Sequence, residues 1–321
     1  MSVYMPNSLY SLVDQGVVEM DPSAEISQEV VFCLSESSER APIRIGKNCR
    51  IGSRAILYEG AVLEENVRIG HQTVIGANAS IGRNSALGNA CMIGEGVRLG
   101  EDNHVDHHAV IDGKAQIGDR NQLGCFVSIG APPQHPRMTE AHEPVHIGND
   151  NVLREYVSVH SSAEAYTEVG NHCFIMAYTC VNHDVVVEDY VTIANNCHIA
   201  GYVLIKHHAN LGMSCAIHQH SVVGAGVMLG MGSIVAKDVP PFVTFYAGQV
   251  HKLNTIGLHR MGYSQDEIEA LAKWYGADTS RSLAERFEEA RDGWWYEDLK
   301  AFLEKSQRKI YPLDRIQVAR S

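Results

Sequence analysis

The chain has 321 residues, of which 45% are hydrophobic, and its formal net charge is −12. This length predicts one large domain or two unequal ones, and the acidic balance excludes nonspecific nucleic-acid binding, which requires a basic surface. No apolar run approaches the roughly 18 residues of a membrane span, and the first basic residue is Arg40, so the start lacks the charged region of a secretory signal. We therefore expect a cytoplasmic protein with no membrane span.

The first part of the chain is irregular. Residues 1–16 match no pattern and are interpreted as an N-terminal extension. The motif Asp21-Pro22-Ser23-Ala24 resembles the opening coil of hexapeptide-repeat proteins, so we begin the repeat domain at residue 17. Residues 28–42 are expected to interrupt this first coil.

A six-residue repeat dominates the middle of the chain. From Ile45 to Val235 every sixth residue is Ile, Leu or Val, with two pauses, and thirty positions follow the rule. A period of six scatters side chains around a helix of about 3.6 residues per turn. Three hexads that close one triangular coil instead point every aliphatic side chain inward. The repeat predicts an all-β solenoid over residues 17–241, a left-handed parallel β-helix of about ten 18-residue coils.

The cysteines fit this repeat. Five of the eight share the position four residues after an aliphatic one: Cys49, Cys91, Cys173, Cys197 and Cys215. That position is small or narrow in most hexads, which is typical of a second inward-facing site. The cysteines are therefore interpreted as core residues rather than as disulfide partners or metal ligands.

The two pauses predict a functional edge. They correspond to loops at residues 131–146 and 161–168, and counting hexads in threes places both loops at the same corner of the coil. The residues that follow the aliphatic positions on that side include His160, His183, Tyr202 and His218. Because imidazole is the side chain best suited to accept a proton near neutral pH, this ladder predicts acid–base chemistry.

A zinc site is an alternative interpretation of the histidines. Some hexapeptide-repeat carbonic anhydrases bind zinc with two histidines five residues apart. Five residues before His183 stands Tyr178, not a second imidazole. We therefore predict no metal.

The pattern changes after Pro240-Pro241. Ser264 with Glu267, and Ser282 with Glu285, are capping-box signatures that begin helices. A third helix is expected from about residue 294 to 305. Residues 242–321 are predicted to form a helical domain that covers the open end of the β-helix.

Eight short segments between Gln122 and Leu271 carry a family resemblance. They are residues 128–134 (SIGAPPQ), 154–160 (REYVSVH), 182–184 (NHD), 194–196 (ANN), 200–201 (AG), 216–219 (AIHQ), 223–225 (VGA) and 238–241 (DVPP). Their order and spacing, including both loops, resemble those of the acyl-carrier-protein:UDP-N-acetylglucosamine O-acyltransferases that begin lipid A synthesis.

The resemblance implies a mechanism. A hydroxyl of a nucleotide sugar attacks an acyl thioester directly, so the enzyme supplies a base, an oxyanion donor and alignment. By resemblance, His183 is the base, Asp184 its partner, and an amide near Gly201 the oxyanion donor.

The resemblance also implies a substrate site. The residues that match the family's donor or acceptor positions are Gln134, His160, His218, Gln219 and Arg260. Three further positions depart from the family pattern, with His135 in place of an acidic residue and Cys180 and Tyr202 in place of histidines. These departures predict an acceptor other than unmodified UDP-N-acetylglucosamine, because a site built for particular hydrogen bonds rejects a substrate that leaves them unpaired.

One position bears on the donor. Met231 stands where the family sets acyl-chain length, and its bulk predicts a short to medium acyl group.

These observations predict an acyltransferase in which His183 is the general base. The donor is the phosphopantetheine thioester of an acyl-carrier protein or coenzyme A, and the acceptor is a hydroxyl, or an amine, of a nucleotide sugar or related molecule. No tightly bound cofactor is expected, and the resemblance implies a homotrimer. The candidate basic residues for docking an acidic carrier protein are Lys206, Lys237, Lys252 and Arg260.

Two other functions remain open at this point. One is a β-helix scaffold or interaction protein without catalysis, which the changed acceptor residues favour. The other is a metal-dependent, carbonic-anhydrase-like hydratase.

Overall fold

The computed structural model describes residues 2–4, 9–35, 41–137, 143–277 and 280–313. The chain divides into two compact units, residues 1–172 and 173–321, called here the N-terminal and C-terminal units.

The N-terminal unit is a stack of parallel coils, each of which contributes one short strand to each of three sheets. The first sheet contains Val18–Met20, Ile43–Ile45, Val62–Leu63, Ser80–Ile81, Arg98–Leu99, Gln116–Ile117, Val145–Ile147 and Thr167–Val169. The second contains Glu25–Ile26, Arg50–Ile51, Arg68–Ile69, Ala86–Leu87, His104–Val105, Gln122–Leu123 and Val152–Leu153. The third contains Val31–Leu34, Ile56–Tyr58, Val74–Ile75, Met92–Ile93, Val110–Ile111, Ser128–Ala131 and Ser158–His160.

Two further elements lie at the start of this unit. The strand Ser2–Tyr4 pairs antiparallel with Val31–Leu34, and helix α1 spans Leu9–Asp14.

The first coil is more complete than the sequence suggested. Residues 28–42 were expected to interrupt it, but Val31–Leu34 is a strand that pairs in parallel with Ile56–Tyr58. Phe32 lies six residues after Ile26 and is fully buried opposite Leu57. The expectation was wrong because only aliphatic residues were counted as inward-facing. The interruption begins after Leu34.

Burial follows the repeat in both units. The aliphatic positions lie in the core, with Ile75, Ile111 and Ile193 at 0% exposure. Each such side chain contributes roughly 1.5–3 kcal/mol of transfer free energy before conformational entropy is subtracted. The core of the predicted coils is therefore formed by one column of inward-facing aliphatic side chains from each sheet.

The second inward position also supplies side-chain hydrogen-bond donors, which the sequence did not predict. Where the residue is cysteine or polar, it usually donates a hydrogen bond to the carbonyl oxygen fifteen residues later, as Thr73 does to Gly88 at 2.7 Å and Cys49 to Glu64 at 2.8 Å. Burial raises the pKa of the Cys173 thiol to about 12, which keeps it protonated as a donor to Glu188. Small donors at this position satisfy backbone carbonyls that would otherwise be buried without a partner.

Both predicted loops leave the N-terminal unit from one corner. Ser128–Ala131 and Ser158–His160 are neighbours in the third sheet, with Ile129 opposite Val159. The next strands, Val145–Ile147 and Thr167–Val169, are neighbours in the first sheet. The predicted common corner is confirmed for this unit; residues 138–142 of the longer loop lie outside the described residues.

The C-terminal unit continues the same construction. One sheet contains Cys180–Val181, His198–Ile199, Ala216–Ile217 and Ile234–Val235. A second contains Val186–Val187, Leu204–Ile205 and Val222–Val223. The remaining sheet contains Phe174–Ile175, Thr192–Ile193, Asn210–Leu211, Met228–Leu229, Val243–Tyr246 and Gln249–Leu253. Val243–Tyr246 pairs in parallel with Met228–Leu229, so regular pairing extends past residue 241.

Helices follow these strands. They are α2 (Thr255–Arg260), α3 (Gln265–Gly276), α4 (Leu283–Arg286), a 3-10 turn (Phe287–Ala290) and α5 (Tyr296–Lys305). Both predicted capping boxes are confirmed, at Ser264 with Glu267 and at Ser282 with Glu285. Tyr275 donates a hydrogen bond to the Pro241 carbonyl oxygen at 2.8 Å, which ties α3 to the end of the last coil. None of the helices in the described ranges is long and apolar enough to cross a bilayer.

Candidate active site

His183 and Asp184 form a buried pair in the C-terminal unit. They occupy the turn after Cys180–Val181, and Asp184 adopts the left-handed conformation with φ of 58°, which aspartate tolerates better than most residues. His183 Nδ1 lies 2.8 Å from Asp184 Oδ2, and the side chains are 7% and 1% exposed. Because a carboxylate accepts the proton of Nδ1, Nε2 is left as the nitrogen with the lone pair. This is the arrangement of a general base held in one tautomer.

Gly201 lies directly against the His183 ring. A β-carbon built on Gly201 would fall 2.6 Å from His183 Cε1 and 2.8 Å from Nε2. Gly201 is eighteen residues after His183, so it occupies the same turn position in the next coil. Only glycine leaves room there for the imidazole.

The amide of Gly201 is available to bind an oxyanion. At this turn position the amide is not used by the ladder between coils, and in other coils a side chain accepts it, as His107 Nδ1 accepts the Asn89 amide at 2.8 Å. Within the described residues no acceptor binds the Gly201 amide, and the residue is buried. A buried N–H group beside a base is suited to stabilise developing negative charge.

The predicted ladder of side chains is partly wrong. Tyr202 packs edge-on against His183, with ring centroids 5.2 Å apart at 88°. Tyr202 also stacks on His220, with ring centroids 4.5 Å apart at 9°, and no ring contact with His218 occurs in the described part of the chain. Tyr202 and His220 both lie three residues after their inward position, whereas His218 lies one after it, so their columns differ. Counting eighteen residues from Tyr202 would have found His220.

His218 has a partner that the sequence did not predict. Its Nδ1 lies 3.0 Å from Nη1 of Arg308, which also donates to the Gln219 carbonyl oxygen at 2.8 Å. Arg308 comes from the segment after α5. No local motif indicated it.

The N-terminal unit holds a second cluster. His160 is 7% exposed, and its Nδ1 lies 3.0 Å from the Pro132 carbonyl oxygen. That oxygen can only accept, so Nδ1 carries the proton and Nε2 accepts from Gln134 Nε2 at 3.1 Å. His135 Nδ1 accepts the Arg137 amide at 3.3 Å. The loop that begins at residue 131 is thus folded onto His160, which holds this imidazole neutral and in one orientation.

The structure places three other predicted site residues as follows. Cys180 is half-buried in an outward-facing position opposite His198. Arg260 is exposed at the end of α2. Met231 is 64% exposed and follows Met228–Leu229, so it lies at a different corner of the coil from His183. The described part of the chain contains no group of three or more His, Cys, Asp or Glu residues placed to hold a metal ion.

Comparisons with known proteins match this architecture. Residues 238–311 match the family model described as UDP N-acetylglucosamine O-acyltransferase, domain 2. Residues 42–77 and 166–201 match the model of bacterial transferase hexapeptide repeats.

Two curated relatives bear the name acyl-(acyl-carrier-protein)–UDP-N-acetylglucosamine O-acyltransferase. The protein from Thiobacillus denitrificans is 35% identical over 197 residues, which cover 58% of this chain and 76% of that protein. The protein from Alkalilimnicola ehrlichii is 33% identical over 196 residues, with the same coverage of 58% and 76%.

Solved structures show the same fold. LpxA from Acinetobacter baumannii matches with a TM-score of 0.63 at 24% identity, covering 92% of this chain and 98% of that one. The UDP-N-acetylglucosamine O-acyltransferase of Moraxella catarrhalis matches with a TM-score of 0.62 at 24% identity, covering 91% and 99%. The predicted left-handed parallel β-helix with a small helical region is confirmed.

Proposed function

Because this chain belongs to the family of acyl-(acyl-carrier-protein)–UDP-N-acetylglucosamine O-acyltransferases, and is therefore an acyltransferase as predicted, we propose that it moves an acyl group from an acyl-carrier-protein thioester to a hydroxyl of a UDP-sugar. His183 is the general base of this reaction. The observation that carries the proposal is the buried His183–Asp184 pair against Gly201.

The proposed reaction needs only groups that the turn at His183–Asp184 and the turn at Gly201 in the next coil supply. His183 Nε2 takes the proton of the sugar hydroxyl as its oxygen attacks the thioester carbonyl carbon. The tetrahedral oxyanion is bound by the Gly201 amide. The carbon–sulfur bond then breaks, and the departing thiolate takes the proton from His183. Asp184 stabilises the imidazolium that exists between these two steps and keeps Nδ1 as the protonated nitrogen.

The substrate-binding residues are also proposals. Gln134 and His160 in the N-terminal unit, and His218, Gln219 and Arg260 in the C-terminal unit, are proposed to bind donor or acceptor. His135, Cys180 and Tyr202 are proposed to determine which UDP-sugar is accepted. Tyr202 supports this assignment because its ring lies 5.2 Å from that of His183, centroid to centroid, so the acceptor hydroxyl approaches His183 beside a phenol rather than an imidazole.

The position of Met231 supports a homotrimer. If Met231 limits the acyl chain, it must face the far end of that chain in the same cleft as His183, yet within one chain it occupies a different corner of the coil from His183. A neighbouring copy that presents its Met231 corner to His183 would complete the pocket. Light scattering on the purified protein should give three times the chain mass of 35.3 kDa.

The donor is proposed to be acyl-carrier protein, and no tightly bound cofactor takes part. Carrier proteins are acidic, so the enzyme needs local positive charge despite its net charge of −12. Lys206 is ion-paired with Glu188 and is a poorer candidate for this docking than Lys252 and Arg260, which are both exposed.

The decisive experiment is an acyl-transfer assay with acyl-carrier-protein thioesters and a panel of UDP-sugars, read by mass spectrometry. His183→Ala should reduce the rate by about 10²- to 10⁴-fold, the usual contribution of a general base, with an unchanged circular dichroism spectrum. His71→Ala is the matched control, because His71 occupies the same position of its hexad on the exposed surface. Wild-type protein that transfers no acyl group to any UDP-sugar would contradict the function. Full activity of His183→Ala would contradict only the role of His183.

A further inference from the structure

The segment after α5 is held to the last coil by one buried carboxylate. Asp238 is 0% exposed. Its Oδ1 accepts the Val222 amide at 2.8 Å, and its Oδ2 accepts the Ser306 hydroxyl at 2.6 Å and the Arg308 amide at 3.2 Å. The Asp238 amide in turn donates to the Lys309 carbonyl oxygen at 3.0 Å. These hydrogen bonds hold the backbone at Arg308 against the last coil.

This placement brings the Arg308 guanidinium to His218 and Gln219. Nη1 lies 3.0 Å from His218 Nδ1 and 2.8 Å from the Gln219 carbonyl oxygen. His218 Nδ1 also lies 3.1 Å from that carbonyl oxygen, so the two contacts assign opposite proton positions to the imidazole. A guanidinium can only donate, so we assign Nδ1 as the acceptor. His218 is then neutral, with its proton on Nε2.

The charge of Arg308 is not neutralised within the described residues. A guanidinium has five N–H donors, and only those on Nη1 have partners in the described part of the chain. No ion pair to Arg308 occurs there, although this is an acidic chain with 38 Asp and Glu residues. Arg308 is partly exposed, and its guanidinium has an imidazole N–H donor beside it. A planar fork of donors with an uncompensated charge is the arrangement that binds phosphate oxygens.

We propose that Arg308 binds a phosphate group of a substrate, with the Nε2–H of His218 as a second donor. The inference rests on the proposed function, because His218 and Gln219 are among its proposed substrate residues. Both proposed substrates carry the required chemistry: the diphosphate of a UDP-sugar, and the phosphodiester of phosphopantetheine. In either case the segment after α5 contributes to the binding site, and its hydrogen bonds to Asp238 hold it in place.

Direct binding distinguishes the two sources. Isothermal titration of the full-length protein with UDP, and separately with 4′-phosphopantetheine, measures phosphate binding without acyl transfer. Arg308→Gln should weaken binding of one probe by about 10- to 100-fold, the value of hydrogen bonds to a charged group. The affinity of Arg308→Lys for that probe should lie between those of the wild type and Arg308→Gln, because lysine keeps the charge but lacks the planar array of donors. The probe that is affected identifies the substrate.

Two controls make the result specific. Lys309→Gln removes one positive charge from the neighbouring exposed side chain and should leave binding of both probes within about twofold, because an exposed charge is screened. The melting temperature of Arg308→Gln should match that of the wild type, since the contacts of Asp238 are with the backbone of Arg308. Equal binding by wild type and Arg308→Gln, or no binding of either probe by the wild type, would overturn the inference. Arg308-dependent binding without acyl transfer to any UDP-sugar would uphold it while contradicting the proposed function.

Discussion

The imidazole of His183 occupies the space beside Gly201 that a side chain at position 201 would need, since a β-carbon there would lie 2.6 Å from His183 Cε1. Real β-carbons essentially never approach so closely, so one of the two groups must move. The positions of the base and of the oxyanion donor therefore depend on each other. Gly201, whose amide is proposed to bind the oxyanion, is also the residue whose lack of a side chain makes room for the His183 ring.

The first prediction follows from this contact. Gly201→Ala should displace the imidazole from its position between Asp184 and residue 201. The backbone accepts alanine there, because Gly201 is not among the residues with positive φ. We expect the rate of acyl transfer to fall by at least about 100-fold, with a melting temperature within a few degrees of wild type. A crystal structure of the variant should show His183 rotated away; full activity with the ring in place would refute the steric argument.

The second prediction concerns the tautomer. Asp184→Asn is nearly isosteric, but its amide group can donate to Nδ1 of His183 and thus stabilise the tautomer whose proton is on Nε2, which cannot act as a base. We expect a loss of rate of about 10²- to 10⁴-fold with little change in substrate KM. Asp102→Asn is a suitable control, because Asp102 occupies a left-handed turn at φ of 54° and accepts a hydrogen bond from Asn84 on the exposed surface. Comparable losses in both variants would show that the effect is structural.

The third prediction concerns pH. Hydrogen bonding to Asp298 raises the pKa of His207, whose Nε2 lies 2.6 Å from Asp298 Oδ1 and so ties a coil of the C-terminal unit to α5. Because the folded pKa exceeds the unfolded value of about 6.5, this pair stabilises the fold fully below about pH 6.5, and its contribution is lost as pH rises through the raised pKa. The free energy of unfolding in urea should therefore differ more between wild type and His207→Gln at about pH 5.5 than at about pH 9.

His208 provides the opposite control. Burial lowers the pKa of His208, so the neutral form is the one that the fold accommodates. Protonation of His208 as pH falls should lower the free energy of unfolding of the wild type. His208→Gln should remove this decrease. The same trend with pH in both variants would contradict the assignment of the His207 effect to Asp298.

The fourth prediction concerns the acyl chain. Met231→Gly should shift the preferred acyl group to longer chains, because it removes a side chain that is 64% exposed within one copy and is proposed to end the pocket of the next. Competition between acyl-carrier-protein thioesters of different length measures the preference. Met213→Gly is the matched control, since Met213 occupies the same turn position one coil earlier and is 45% exposed. An unchanged preference in Met231→Gly would exclude this residue from the pocket.

The sequence alone determined the fold because the repeat can be counted along the chain. With eighteen residues per coil, the position of a residue in its hexad decides whether its side chain faces inward. Counting residues was enough to place both loops at one corner, whereas Gly201 was indicated only by the family resemblance. The capping boxes at Ser264 and Ser282 were readable for the same reason, since their hydrogen bonds join residues only three apart. The count failed at Phe32 because an aromatic residue took a position where only aliphatic ones were sought.

Only the tertiary structure shows where the segment after α5 packs on the last coil and which side chains it meets there. Arg308 meets His218 across ninety residues, and this contact depends on a buried carboxylate at Asp238 whose hydrogen-bond partners lie in two separate stretches of sequence, at Val222 and at residues 306–308. No local period or spacing encodes such a contact, because it depends on how α5 packs against the last coil. The direction of the His183 ring was likewise decided in three dimensions, by the carboxylate on one side of it and the missing side chain on the other.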